Sequence, residues 1–414
     1  MVEGHHVEPI SDYCLGGYHP IHIGDSLNEG RYKILNKLGW GGSSTVWLAS
    51  DRMRNNACVA ISITRADKYH EYTAHLSRKI SHLEAGDNCH PGKRSMLIPL
   101  DSFHTNGPNG QHFCLVMRFE GQTISRATNR AQGPNTRPLP LQRAKKAVWD
   151  LVQGIDYMHK QGITHGDLHP ANLYLGIPNE QDWSVPEIEA VCGPPKLIPN
   201  ESVTGDYNAS DTLHHDHQQP RYRVADAMEH DVDLGLFPGP VKIADFALAF
   251  YDSENAPKMP SGGPFIVPEF NAPGHCSSAA DIWLLGCDIF QFLSGFDLMG
   301  TLNDPPWKMV HGMMRTLGSP PTYLFESWKL FAGDAHDVVW TAEASQPLEL
   351  RIRQIREGDP QIGMKERKDD FSDDDITLLT DLLTFMVRFE PFDRPTIGQI
   401  IDHPAMQYFC NSQD

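Results

Sequence analysis

None of the eight cysteines, at 14, 58, 89, 114, 192, 276, 287 and 410, forms a C-x-x-C pair, and none is densely spaced. That excludes a disulfide framework, and the cysteines read as reduced thiols of a cytoplasmic or nuclear protein. There is no apolar stretch of signal-peptide type near the N-terminus and no uninterrupted apolar run long enough to span a bilayer, so neither secretion nor a membrane association is expected. No internal repeat is found. Positive charge is also short: 35 Lys and Arg face 53 Asp and Glu, for a formal charge of −18. Such a balance argues against direct nucleic-acid binding and suits basic protein partners. The 414 residues, 40% hydrophobic and 21% charged, are enough for a large core split into two lobes, with a monomer as the expected state.

What is present is a series of motifs in a fixed order. Arg31 to Leu38 reads as a strand, followed by a glycine-rich turn, Gly39-Trp40-Gly41-Gly42-Ser43-Ser44-Thr45-Val46. Gly39 and Gly41 let the backbone approach a phosphate, and free amides in such a turn can cradle one; a plain hairpin is the alternative. Ala57 to Ile63 is the next strand. Leu141 to Lys160 carries Ala147, Val148, Leu151, Val152, Ile155 and Met158 at helical spacing. The loop His165-Gly166-Asp167-Leu168-His169-Pro170-Ala171-Asn172 follows. Asp167 and Asn172, five positions apart on one tight loop, can converge on a phosphate site, Asp167 taking a proton from a hydroxyl and Asn172 holding Mg²⁺. A turn that is merely rich in Asp and Asn is the other reading of this loop alone. Residues 176–240 form an irregular insert rich in Pro, Asn, Asp and His; its His214-His215-Asp216-His217 run reads as a solvated loop. Order returns at Val241 to Ala247, a strand ending in Asp245-Phe246-Ala247. Ser372 is the expected N-cap of a helix over Ile376–Phe389, with Asp373, Asp374 and Asp375 favourable at its start.

Asp12 through Leu48 resembles the N-terminal arm and glycine loop of the SR-protein kinases, which read D-Y-x-x-G-G-Y-H-P … I-G-D … R-Y … K-L-G-W-G-x-x-S-T-V-W-L. The loop at 165–172 resembles the kinase H-R-D-x-x-x-x-N, with Gly166 in place of the arginine, which the SR-protein kinases also lack. The resemblance is closest to fungal-type members in the 185–240 spacer. It implies an α+β, bilobal protein-kinase fold with a small β-rich N-lobe and a large helical C-lobe. The arm would span 1–30, the N-lobe and hinge 31–121, and the C-lobe 122–410 with the insert at about 176–240. It further implies ATP and Mg²⁺ as cofactors, a basic or Arg-Ser-rich protein as substrate, and a role in regulating mRNA splicing.

The site residues follow from the same likeness. Gly39, Trp40, Gly41, Gly42, Ser43 and Val46 would cover the nucleotide. Ala60, the gatekeeper Met117, and the backbone of Arg118 and Glu120 would surround the base. Asp167 would be the base, His169 would stand for the lysine that steadies the phosphoryl group, and Asn172 and Asp245 would hold Mg²⁺. At neutral pH a histidine is charged only part of the time. Asp281 would hold the catalytic-loop backbone.

Three departures stand out. Ser62 occupies the place of the phosphate-pairing lysine, and Arg65, an odd number of residues on, should point to the opposite face if the strand continues. The helix glutamate that pairs with that lysine falls near His75, with only Glu71 acidic nearby. Gly274 is aligned with the glutamate of A-P-E, whose partner is Arg394, leaving Glu269 as a replacement. Losing the lysine should cost about 1.5–3 kcal/mol, or roughly 10- to 150-fold. A pseudokinase acting as a binding scaffold is therefore the alternative expectation.

Overall fold

Runs of apolar and β-branched residues such as Val59-Ala60-Ile61-Ser62-Ile63 favour a pleated, half-buried surface, and in the first part of the chain they build one sheet. The computed structural model describes residues 7–128, 138–177, 183–200, 218–227, 237–253, 267–269, 277–300, 306–332 and 346–410, without the side chains at 70–75, 306 and 329–332. The described cysteines are free thiols. The chain divides into two compact units.

The first unit holds Met1–Ile80, Leu97–Gly121 and Ile177–Phe237. Its strands are β1 (Ser26–Leu27), β2 (Tyr32–Gly41), β3 (Ser44–Asp51), β4 (Ala57–Thr64), β5 (Asp101–Gly107) and β6 (Gly110–Arg118). They form an antiparallel sheet in the order β1-β2-β3-β4-β6-β5. Period-two alternation sorts the side chains onto two faces. Trp47, Ile61 and Val116 lie opposite one another on the face that is almost fully buried. Val46, Ser62 and Leu115 share the other, which is only half buried. Helix α1 (Tyr69–Ala85) follows the sheet's fourth strand and buries Leu76, Lys79 and Leu83.

The insert is expected in the C-lobe, but its described residues between Ile177 and Phe237 belong to the first unit. The reason is hydrogen bonding to strand edges. Cys58 N donates to Trp183 O at 3.0 Å and Ala227 N to Lys37 O at 2.7 Å. Trp183 stacks on Phe237, with ring centroids 5.9 Å apart. Between them lie a helix, Val185–Cys192, and a two-stranded hairpin, Leu197–Pro199 with Tyr222–Val224. The His214–His217 run lies outside the described residues.

The second unit holds Ser81–Met96, Gln122–Gly176 and Pro238–Asp414 and is mainly helical. Helix Leu141–Lys160 buries the face read from its periodicity and packs against helix Ala279–Ser294. Ser372 caps helix Asp373–Met386: its hydroxyl accepts from Asp375 N at 3.1 Å, and the Asp375 carboxylate accepts from Ser372 N at 2.8 Å. No helix among the described residues is long and apolar enough to cross a membrane.

One ion pair corrects the alignment of the A-P-E motif. Arg394 donates from Nη1 to Glu269 Oε1 at 2.8 Å and from Nη2 to Oε2 at 2.7 Å, with both side chains fully buried. Its guanidinium also reaches the carbonyls of Ala279, Arg388 and Phe389 and lies over the Trp283 ring. The motif is therefore Val267-Pro268-Glu269, and the buried arginine keeps its partner. Gly274 lies outside the described residues.

Removing one partner of a buried, bidentate pair leaves the other charge uncompensated, at a cost of about 3–5 kcal/mol. Glu269→Gln should therefore lower the urea midpoint of unfolding by an amount equivalent to at least about 3 kcal/mol. Gly274→Ala should leave it unchanged. A Glu269→Gln protein as stable as the parent would contradict this pairing.

Candidate functional site

In the second unit, the loop after helix Leu141–Lys160 is organised by one carboxylate. Asp281, on helix Ala279–Ser294, is fully buried. It accepts from His165 N at 2.8 Å, Gly166 N at 2.9 Å and His159 Nε2 at 2.9 Å. Burial pushes the Asp281 carboxyl up. The His159 hydrogen bond, the neighbouring imidazoles and the Gly166 N–H outweigh it, holding the group below the ordinary carboxylate value. Gly166 turns the chain with φ +76°, and a Cβ there would lie 3.0 Å from Leu248 O. Glycine takes this positive φ without strain, whereas a side chain here would be strained and would press on the Leu248 carbonyl.

Two short ladders place the rest of the loop. β7 (Ile163–Thr164) pairs with Phe250–Tyr251, and β8 (Leu173–Tyr174) pairs with Lys242–Ile243. The second ladder continues into Ala244 N donating to Asn172 O at 2.9 Å. It thereby carries Asp245 up to the loop. His165 Nε2 faces Ala244 O at 3.0 Å, and its ring meets Phe246 edge-on at 5.7 Å. Asp245 itself has φ +61°, uncommon for a residue with a side chain and often found at functional sites.

The three oxygen-bearing side chains read from the sequence are brought together in this unit. Asn172 Nδ2 donates to Asp167 O at 2.9 Å and reaches Asp167 Oδ2 at 3.4 Å. His169 Nδ1 accepts from Ala171 N at 3.2 Å, so in the neutral ring Nε2 carries the proton; it faces Asp167 Oδ2 at 3.6 Å. Burial raises the Asp167 carboxyl, but the His169 contact, the imidazole charges and the Asn172 amide together bring it below the ordinary value. Asp245 goes the other way. The protein crowded around it and, after that, the negative charge of Asp167 raise its carboxyl pKa. Two carboxylates that repel in this way, beside an amide oxygen, form a hard-oxygen donor set of the kind Mg²⁺ takes. Among the described residues no trio of His, Cys, Asp or Glu makes a complete metal cage. Asp245 and Asn172 would therefore share an ion with waters or a ligand's oxygens.

In the first unit, Gly39, Trp40 and Gly41 pair with Val46, Thr45 and Ser44, and Gly42 and Ser43 form the turn. Ala60 lies opposite Leu48 and Met117, and Ser62 opposite Val46 and Leu115. Gly39, Val46, Ala60, Ser62 and Met117 thus fall on the half-buried face. Arg118 ends β6, and the buried Glu120 accepts from Ile177 N at 2.9 Å. The strand ends at Thr64, so parity does not govern Arg65; its side chain is held by Asp67 at 3.2 Å and Asp12 at 3.8 Å and lies over the Tyr18 ring. The side chains of Glu71 and His75 lie outside the described residues.

Sequence reasoning missed several residues of this unit. Tyr18 OH donates to Gly41 O at 2.7 Å. The buried Lys37 pairs with Glu8, which also accepts from Tyr13 OH. Their one sequence signal is the arm motif itself, which does not say what its tyrosines touch.

The protein kinase domain family matches residues 32–182. The chain is 27% identical to a serine/threonine-protein kinase, SRPK, of Physarum polycephalum over 96% of its own length and 91% of the relative's. It is 37% identical to protein kinase dsk1 of Schizosaccharomyces pombe, over 45% of this chain and 33% of that protein. With human SRSF protein kinase 3 it shares 34% identity, over 41% of this chain and 30% of that protein. The chain thus matches only about a third of the length of the yeast and human relatives. The crystal structure of the PF14_0431 kinase domain superposes with a TM-score of 0.59 at 16% identity, covering 94% of this chain and 98% of that one. The fold is the bilobal protein-kinase fold, residues 32–182 match the protein kinase domain family, and the chain is similar to the SR-protein kinases.

Proposed function

We propose that the chain is a serine/threonine protein kinase of the SR-protein kinase type, with catalysis weakened by Ser62. The observation that carries this reading is the meeting of Asp167, Asn172 and Asp245 on one loop and one adjoining strand end. Asp167 is the base. Its depressed pKa keeps it ionised at neutral pH, so that it can orient a substrate hydroxyl and accept its proton. Asn172 already spends its amide N–H on Asp167, which leaves its carbonyl oxygen for a cation. Asp245 is the charged ligand of the same ion. Bound Mg-ATP would supply the phosphoryl group with its charge partly neutralised. His169, fixed by Ala171 N, stands beside the base where a lysine would steady the transferred group.

The substrate proposed is serine in a basic, Arg-Ser-rich protein. The formal charge of −18 supports a basic partner through long-range attraction, which speeds encounter more than it sets affinity. The nucleotide is proposed to lie under Gly39–Ser43 and Val46, with Ala60, Met117, Arg118 and Glu120 around the base. The chain is proposed to act as a monomer in the cytoplasm or nucleus.

A second reading is favoured by Ser62. A half-buried serine on the face where the lysine belongs brings no charge to the phosphates. Arg65, turned away and paired, does not replace it. A pseudokinase that binds nucleotide or protein without turnover would have this feature.

Phosphate incorporation into an Arg-Ser peptide separates the two. The parent should exceed Asp167→Asn by at least about 100-fold, the size of a general-base contribution. Equal incorporation by both retires the enzyme and leaves the scaffold. Ser62→Lys should raise incorporation by roughly tenfold or more, the worth of one charge-assisted hydrogen bond to phosphate. Asp245→Asn should remove the magnesium dependence of the ATP-induced thermal shift. An unchanged dependence would remove Asp245 from the metal site.

A further inference from the structure

The glycine turn has a fastening that does not come from the sheet. The arm folds into a compact turn at Asp12–Tyr18, closed by Tyr18 N donating to Asp12 O at 2.9 Å and Gly17 N to Cys14 O at 2.7 Å. Gly17 permits it: a Cβ there would lie 1.9 Å from Asp12 O. This turn is tied to the sheet on two sides. Ala66 N and Asp67 N donate to the carbonyls of Gly17 and Gly16, at 3.0 and 2.8 Å. Asn109 donates to Tyr18 O at 2.7 Å, and its own carbonyl accepts from Gly16 N at 2.8 Å. The Tyr18 ring, 1% exposed, meets Tyr13 edge-on at 5.7 Å and carries the Arg65 guanidinium at 5.1 Å.

From that fixed position the Tyr18 hydroxyl donates to Gly41 O at 2.7 Å. Two residues on, Ser43 O accepts from Arg65 N at 2.8 Å. The carbonyls on either side of Gly42 are therefore both held. The peptide between Gly41 and Gly42 is trans, so its C=O and N–H point in opposite directions. Holding the Gly41 carbonyl toward the arm turns the Gly42 N–H away from it. Glycine-rich backbone is otherwise the part of a chain that loses most freedom on becoming ordered, and an unheld turn meets that cost when ligand arrives.

We propose that Tyr18 is a positioning residue for nucleotide binding: its hydroxyl fixes the Gly41–Gly42 peptide so that the Gly42 amide is set in advance for a phosphate oxygen. The proposal rests on the kinase reading above and goes beyond it. Its weight is greater in this chain than in a kinase with the lysine, because with serine at 62 the backbone amides carry more of the phosphate contact. The Arg65 side chain contributes by covering the Tyr18 ring and not by reaching the nucleotide.

Tyr18→Phe in the full chain removes one O–H and keeps the ring. Hydrogen exchange of residues 39–44 in the nucleotide-free protein should quicken by about two- to tenfold, the range of one hydrogen bond. The Kd and KM for Mg-ATP should rise by about the same factor, with kcat and the melting temperature unchanged. Tyr13→Phe, in the same arm but bonded to Glu8, should alter neither exchange at 39–44 nor affinity. A wild-type chain that binds no Mg-ATP removes the kinase reading and this proposal with it. With the wild type binding, an unaltered Kd in Tyr18→Phe overturns the proposal alone. So does an equal loss in Tyr13→Phe, which would mean general loosening of the arm.

Discussion

The buried carboxylate of Asp281 is the constraint from which the loop at 165–172 takes its shape. It satisfies the amides of His165 and Gly166 where no water can reach them, and it holds His159 on the helix before the loop. An orphaned buried N–H costs about 1–3 kcal/mol, so the turn is stable only while this acceptor stands beneath it. With residues 165 and 166 fixed and φ positive at Gly166, the chain has one way to return toward β8. Asp167 and Asn172 leave that path on the same side. The ladder of β8 with Lys242–Ile243 then brings in Asp245. No functional side chain fixes its own position here; each inherits it from backbone hydrogen bonds.

What the chain keeps and what it lacks divide along that line. Asp281, the Glu269–Arg394 pair and the two-faced sheet all shape backbone or fill the interior. All are intact. At the positions proposed to bring positive charge to a phosphate stand Ser62 and His169. The buried pair cannot be lost without leaving a bare charge, which explains its retention whether or not the chain turns over substrate. A surviving kinase architecture is therefore weak support for catalysis. The Asp167–Asn172–Asp245 arrangement is stronger, because nothing in the packing requires two carboxylates to be held in mutual repulsion.

Much of this was legible in the residues because it is local. The apolar spacing of 141–160 gives the helix, and Ser372 followed by Asp375 gives a cap. The partner of Arg394 was not legible in the same way. Glu269 follows Pro268 and Gly274 follows Pro273, and only the fold, which closes 125 residues of sequence, brings the Glu269 carboxylate to Arg394. The insert failed for a related reason. Its composition is that of a loop, and composition carries no information on backbone amides such as those of Cys58 and Ala227, which bind it to the sheet. The fastening of Gly41 by Tyr18 joins a side chain to a carbonyl, which every residue has, so no residue type marks the receiving end.

The asymmetry of the sheet follows from these long-range ties. Arm and insert meet one another on the first unit: Arg223 donates to Glu8 O at 2.8 Å, Tyr222 OH accepts from Ile23 N at 3.1 Å, and Arg221 N donates to His22 Nε2 at 3.2 Å. At their centre lies the ion pair of Lys37 with Glu8, buried beside Trp47. A lysine with no exposure would be costly without that carboxylate, and the carboxylate would be costly without the lysine. The arm can therefore dock in only one register, since a shift would leave charges buried and unpaired. That fixed register places Tyr18 below Gly41. The face carrying Trp47, Ile61 and Val116 is closed, and Val46, Ser62 and Leu115 on the opposite one are left half-buried. Charge pairing at one end of the arm thus sets the geometry of the glycine turn at the other.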